Sequence, residues 1–265
     1  MHNQLHLISS DWFQGFTISK QTECLSGFKD ANISPALSQE DFEYYLIASS
    51  LYSSKIEGNS LDVNSYYRNK DLPLSPKRKE VEEIENLMAA YHFAADNDLT
   101  MKGFLHCHKI LSPTLLPAKE QGHLRKDQVG IRDAQSMRPV YLAVEPEFVE
   151  RELNALFLDI QSLLDSELSE KEIFYNASMI HLWTAMIHPF MDGNGRAARL
   201  LEKWFLASKL GKSAWSLNSE KYYWDNRPAY YQNISLGFNY YALHWERCLP
   251  FLLMLPEAVK DAQSK

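Results

Sequence analysis

The chain has 265 residues, 45% hydrophobic and 23% charged, which is enough apolar material for one sizeable core. Its net charge of −7 argues against a surface that coats nucleic acid, and no apolar run approaches the ~20 residues of a membrane span. Cys24, Cys107 and Cys248 are too few and too scattered for a disulfide framework or a zinc module, so a reducing, cytoplasmic setting is expected, with neither nucleic acid nor membrane as partner.

Met1-His-Asn-Gln-Leu-His-Leu contains no signal-peptide core. Asp41 to Glu57 reads as a helix opened by Ser38 as N-cap and closed by Gly58-Asn59. Glu57 then stands in the last turn, where the helix dipole disfavours an acid, so something else should hold it there. Lys77-Arg-Lys79, after Pro73 and Pro76, reads as a solvated linker. Lys79 to Ala95 is amphipathic through Val81, Ile84, Leu87, Met88 and Tyr91, and Phe104 to Leu111 also reads as helix. His106-Cys-His108 lies within it, too closely spaced to form a complete metal site.

Gln128 to Ile131 and Val140 to Val144 are short β-prone runs on either side of the polar stretch Arg132 to Pro139, the pattern of a hairpin with a long loop. Helices follow over Glu147 to Leu164 and Glu172 to Ile187. The second must end at His188, because Pro189 cannot continue it. Another runs from Arg196 to Lys209 with Gly211 as stop signal, and a last from Tyr240 to Val259; between them lies the tyrosine-rich tract Asn226-Arg-Pro-Ala-Tyr230-Tyr231. The fold class expected is all-α, with one small β-hairpin.

The chemistry concentrates in His188-Pro-Phe-Met-Asp-Gly-Asn-Gly-Arg-Ala-Ala-Arg199. Asp192 to Gly195 sits where a helix begins, offering unpaired N–H groups and the positive dipole end to an anion. Arg196 and Arg199 can add charge-assisted hydrogen bonds to phosphate oxygens. Asp192 fits such a pocket if Mg²⁺ intervenes, since that ion is typically held by one or two carboxylates together with phosphates and water. His188, with a reference pKa of about 6.5, can accept a proton at neutral pH. Three rival motifs fail: Gly193-x-Gly195 follows a helix rather than a strand, a calcium loop from Asp192 would need glycine at Ala197 and an acid at Lys203, and Gly211-Lys-Ser lacks its upstream glycine at Leu206.

This segment resembles the signature of the Fic family, His-Pro-Phe-x-Asp/Glu-Gly-Asn-Gly-Arg-x-x-Arg, at every fixed position. The resemblance implies a Fic-type helical bundle and transfer of AMP from ATP to a hydroxyl of an unnamed target protein or of the chain itself. It makes His188 the general base and Asp192 the Mg²⁺ ligand. Gly193, Asn194, Gly195, Arg196 and Arg199 become the phosphate-binding set, and Asn226 with Tyr230 or Tyr231 the adenine enclosure. Ser53-Ser-Lys-Ile-Glu57-Gly58 resembles the family's inhibitory motif, in which the glutamate pairs with the second motif arginine; this implies autoinhibition through Ser53 and Glu57, and some such enzymes also remove AMP. Val129, Gly130 and Ile131, following Gly122-His-Leu-Arg125, would form the flap that docks the target by strand addition.

The implied organisation is an N-terminal helical segment carrying the inhibitory motif (1–78), a Fic core (79–245) and a C-terminal helix (246–265). The alternatives are a Fic-like transferase of UMP, phosphocholine or a terminal phosphate, and a catalytically silent nucleotide-sensing interaction protein.

Overall fold

A computed structural model describes residues 5–26, 28, 38–132 and 139–263. In chain order the helices are α1 (Phe13–Thr17), α2 (Gln39–Ile56), α3 (Val63–Asn69), α4 (Arg78–Asp96) and α5 (Met101–Leu111). The hairpin β1 (Gly130–Arg132) and β2 (Pro139–Leu142) follows, then α6 (Pro146–Asp165), α7 (Glu170–Ile187), α8 (Asn194–Leu210), α9 (Ser219–Asp225), α10 (Arg227–Ile234) and α11 (Leu249–Gln263). The fold is all-α with one two-stranded antiparallel sheet. Among the described residues no helix is long and apolar enough to cross a membrane.

The centre is the pair α7 and α8. Ser169 and Glu172 form a reciprocal capping box that starts α7, and thirteen of its residues from Ile173 to Ile187 are buried, as befits a helix enclosed on all sides. α8 is unusual among core helices because it also buries Arg196, Arg199, Glu202 and Lys203. Isolated charges cannot stay in such a place, so each must find partners there.

α2 packs against α4 and α9. Ser38 caps it by accepting from Asp41 N–H, and Glu40 and Asp41 favour its first turn. Its inward side carries Ser49, Ser50, Ser53 and Ser54 beside Leu46 and Leu51, a small polar surface that lets long cationic side chains approach.

Several expected boundaries shift. The last helix begins at Leu249 rather than Tyr240, because Tyr240 N–H is spent on Leu142 C=O; Pro250 then falls in the first turn, where a missing N–H costs nothing, although Pro256 is carried inside the helix. Lys77-Arg-Lys79 is no linker: Arg78 opens α4, its Nε donating to Glu82 at 2.8 Å and an Nη to Lys70 C=O at 3.1 Å. α3 falls outside the expected helices and starts on the Asp62 carboxylate, an acceptor for Ser65 N–H. The strands are shorter than the β-prone runs, and the loop at 133–138 lies outside the described residues.

Candidate functional site

Pro189 ends α7, and His188 takes up a left-handed backbone at φ 52°, ψ 60°, which a non-glycine residue adopts only at some cost. Arg125, itself buried, offsets that cost: its Nε donates to His188 C=O at 2.8 Å and its N–H to Pro189 C=O at 3.0 Å. The same guanidinium donates to Val144 C=O and Asp127 C=O, so it fastens the hairpin's base to the turn.

The turn then closes on itself. Phe190 N–H donates to Asn194 Oδ1, and Asn194 Nδ2 donates to Phe190 C=O, both at 2.8 Å. The Asn194 side-chain amide thus builds the turn, and its backbone N–H is what the residue can offer a ligand. Gly193, at φ 80°, precedes α8, and no side chain caps that helix. The first N–H groups of α8 are therefore available to an anion. Asp192 is exposed beside them, one carboxylate oxygen accepting Gly193 N–H at 2.6 Å.

Nδ1 of His188 lies 3.3 Å from Ala185 C=O, an acceptor only, so Nδ1 carries the proton and Nε2 the lone pair. Burial pulls the pKa down to about 4, with Arg125 acting in the same direction. His188 is thus a neutral imidazole at pH 7. His108 behaves alike, drawn to about 4 by burial.

Protonation at either histidine is therefore favoured by unfolding. Because these folded-state pKa values lie below the unfolded value near 6.5, stability is full above that pH and is lost as pH falls toward 4. We predict a urea midpoint that declines steadily from pH 7 to pH 4; a flat midpoint across that window contradicts the lowered pKa of the buried His108 and the half-buried His188.

α2 and α8 run antiparallel and meet in steps of four residues. Lys203 Nζ donates to Ser49 Oγ at 2.6 Å, Arg199 Nε to Ser53 Oγ at 2.8 Å, and Arg199 Nη2 to Ser53 C=O at 3.0 Å. Nη2 also reaches Glu57 Oε1 at 2.7 Å. The Glu57 carboxylate lies against Gly195, where any Cβ would collide with Oε1. Partial burial works to raise the Glu57 pKa, but the charges of Arg199 and Arg196 and the hydrogen bond from Arg199 outweigh it and hold it below the ordinary carboxylate value. An acid at the unfavourable end of α2 is thereby explained, since it sits at the favourable end of α8.

Arg196 has a partner that nothing in the sequence signalled. Its Nη1 meets Glu83 Oε1 of α4 at 2.9 Å, and Glu83 Oε2 accepts from Asn59 just after α2. The Arg196 Nε is buried without an acceptor. Both motif arginines thus touch carboxylates contributed by preceding helices.

The tyrosine-rich tract departs from expectation. Pro228 stands in the first turn of α10, on which Tyr230 points inward, 2% exposed, its hydroxyl meeting His181 Nε2 at 3.0 Å and Arg199 Nη1 at 3.2 Å. Tyr230 is therefore a core residue behind Arg199, not an adenine wall. Asn226 ends α9 with its amide on Tyr222 C=O, and the exposed Tyr231 donates to Ile56 C=O at the end of α2. His181 hydrogen-bonds Glu202 at 2.8 Å inside the core.

In the hairpin, Leu142 N–H and C=O are engaged by Phe238 and Tyr240. Its antiparallel partner Gly130 must then turn its own N–H and C=O to the opposite, open edge. Val129 C=O instead accepts from Ala143 N–H, and the Ile131 side chain is 39% exposed. A strand could add along β1 at Gly130.

Residues 98–206 match the model of the Fic/DOC family. Among solved structures, a Fic family protein from Desulfovibrio desulfuricans is similar at 22% identity and TM-score 0.75, over 99% of this chain and 77% of that one. Fic-1 (residues 134–508) from C. elegans gives 20% and 0.64, over 92% and 70%. A Fic-domain-containing signaling protein from Bacteroides thetaiotaomicron gives 18% and 0.65, over 92% and 97%. At these identities the structural likeness is one of fold. No curated protein matches significantly.

Proposed function

We propose, from the premise that the chain carries a Fic/DOC-family domain at residues 98–206, that it is an ATP-dependent protein adenylyltransferase restrained by its own Glu57. The domain is that of a Fic-type transferase, and such proteins generally use nucleoside triphosphates with a metal. The observation that carries the finer reading is the uncapped start of α8, with a neutral His188 preceding it and the Arg199–Glu57 pair beside it.

The donor set suits a magnesium triphosphate. Asp192 presents a carboxylate to solvent, α8 presents N–H groups, and the orphaned Arg196 Nε is a buried donor awaiting an acceptor. When bound at Asp192, Mg²⁺ would neutralise phosphate charge. Arg196 and Arg199 would hold the β- and γ-phosphates once released from Glu83 and Glu57.

His188 Nε2 then removes the proton from a target hydroxyl. The hydroxyl oxygen forms a bond to the α-phosphorus while the bond to the bridging oxygen breaks and pyrophosphate leaves. The target's backbone would pair along the open edge at Gly130, so that strand addition places the hydroxyl without reading much sequence. Until Glu57 moves, its carboxylate keeps a phosphate from the N-terminus of α8 and from Arg199.

The test is the fate of label. Glu57→Gly protein with Mg²⁺ is expected to transfer label from α-labelled ATP, to itself or to a protein in a lysate. Label from γ-labelled ATP alone would instead mean a kinase, and ATP binding with no labelled protein would mean a nucleotide-sensing module.

A further inference from the structure

His108 lies outside the twelve-residue motif, yet the motif's turn is built against it. The residue is fully buried on α5, its ring stacked on Phe190 with 3.5 Å between centroids and 1° between planes. Gly122 N–H donates to Nδ1 at 3.1 Å, and a backbone N–H can only donate. Nδ1 therefore carries the lone pair and Nε2 the proton. That proton goes to Asp192 C=O at 2.9 Å.

This bond has a directional consequence. In a planar trans peptide the C=O and the following N–H point in opposite directions. With Asp192 C=O drawn inward to His108, Gly193 N–H is aimed outward to the face where Asp192 carries its carboxylate. The packing leaves no slack: a Cβ on Gly193 would stand 3.3 Å from His108 Nε2 and 3.2 Å from Leu111 Cδ1. Phenylalanine would serve for stacking alone, whereas two opposed hydrogen bonds to two separate loops require an imidazole.

We infer that His108 is a positioning residue of the phosphate-binding turn, its Nε2–H fixing the Asp192–Gly193 peptide so that the Gly193 N–H, donated to Asp192 Oδ1 at 2.6 Å, holds the Asp192 carboxylate on the nucleotide's side of the turn. The inference rests on the reading of this turn as a nucleotide site. It names a residue from outside the motif, and from 84 positions away, as part of the phosphate cradle.

The test compares His108→Gln, His108→Asn and His108→Phe in the Glu57→Gly background. A glutamine amide nitrogen reaches the place of Nε2, an asparagine oxygen reaches the place of Nδ1, and phenylalanine keeps only the stack. Binding of a fluorescent ATP analogue is read as Mg²⁺ is titrated, alongside the urea midpoint of each ligand-free protein. Loss of one hydrogen bond of roughly 1–1.5 kcal/mol corresponds to about tenfold, so Asn and Phe are expected to bind about tenfold more weakly and Gln within about threefold of the parent.

Asparagine binding as tightly as the parent overturns the inference. So does a loss that follows the fall in urea midpoint across all three variants, which is the signature of plain core packing. A Glu57→Gly parent that binds no analogue overturns the nucleotide-site reading itself, a result distinguishable because it precedes any change at His108.

Discussion

Glu57→Gly is expected to raise transfer from α-labelled ATP by about one to two orders of magnitude over the unaltered protein, and a further His188→Ala substitution to abolish the gain. Arg199 is 1% exposed along its side chain and Glu57 28%. Separating a wholly buried pair costs about 3–5 kcal/mol, but an exposed pair is worth under about 1, so this half-sheltered one should cost roughly 1.4–2.7. At 1.4 kcal/mol per decade, that is a ten- to hundredfold restraint on the productive pose. Glycine removes the carboxylate and leaves Arg199 held by Ser53, ready for phosphate. Removing a general base typically costs about 10²–10⁴-fold, which exceeds the gain from releasing the restraint. Equal labelling by the Glu57→Gly protein and its parent would end the autoinhibition argument, and undiminished labelling with His188→Ala would end the base assignment.

Lys203→Met is expected to destabilise the fold by about 3–5 kcal/mol, since truncating one partner of a buried pair strands the other. Lys203 and Glu220 are 0% exposed and 2.5 Å apart, with Tyr91 hydroxyl donating to Glu220 at 2.6 Å and Lys203 also reaching Ser49. Met fills similar volume but leaves the Glu220 carboxylate with hydroxyl partners alone. Adding Glu220→Gln should restore much of the loss, because the amide needs no counter-ion. Urea unfolding measures both; a single-variant cost below about 1 kcal/mol would show that this pair is hydrated.

This second pair also constrains how the proposed inhibition would be lifted. Ser49 and Ser53 tie α2 to two buried cations of α8, so lifting the whole helix away would expose both. Glu57, half-sheltered at the C-terminal end, can swing while those anchors hold. Relief confined to that last turn is the physically cheaper route.

The sequence by itself determined the longer helices α2 and α4 to α8, to within a few residues at their ends, and the turn between α7 and α8. Both are local: Ser38, Ser169, Pro189 and Gly211 act on their own neighbours through sterics and short hydrogen bonds, and twelve consecutive residues bring His188, Asp192 and two arginines together wherever the chain goes. Where a helix starts later than its local pattern implies, as after Tyr240, a distant strand takes the backbone N–H. What only the tertiary structure decided is who faces whom. The sequence marks Asn226 to Tyr231 as a tyrosine-rich tract but does not say that α10 turns Tyr230 toward Arg199. It does not place Glu83 on Arg196, His108 under Asp192 or Ser49 on Lys203. These meetings depend on the register and rotation of helices packed from far-apart segments, and an apolar stripe specifies that a face is buried without specifying against what.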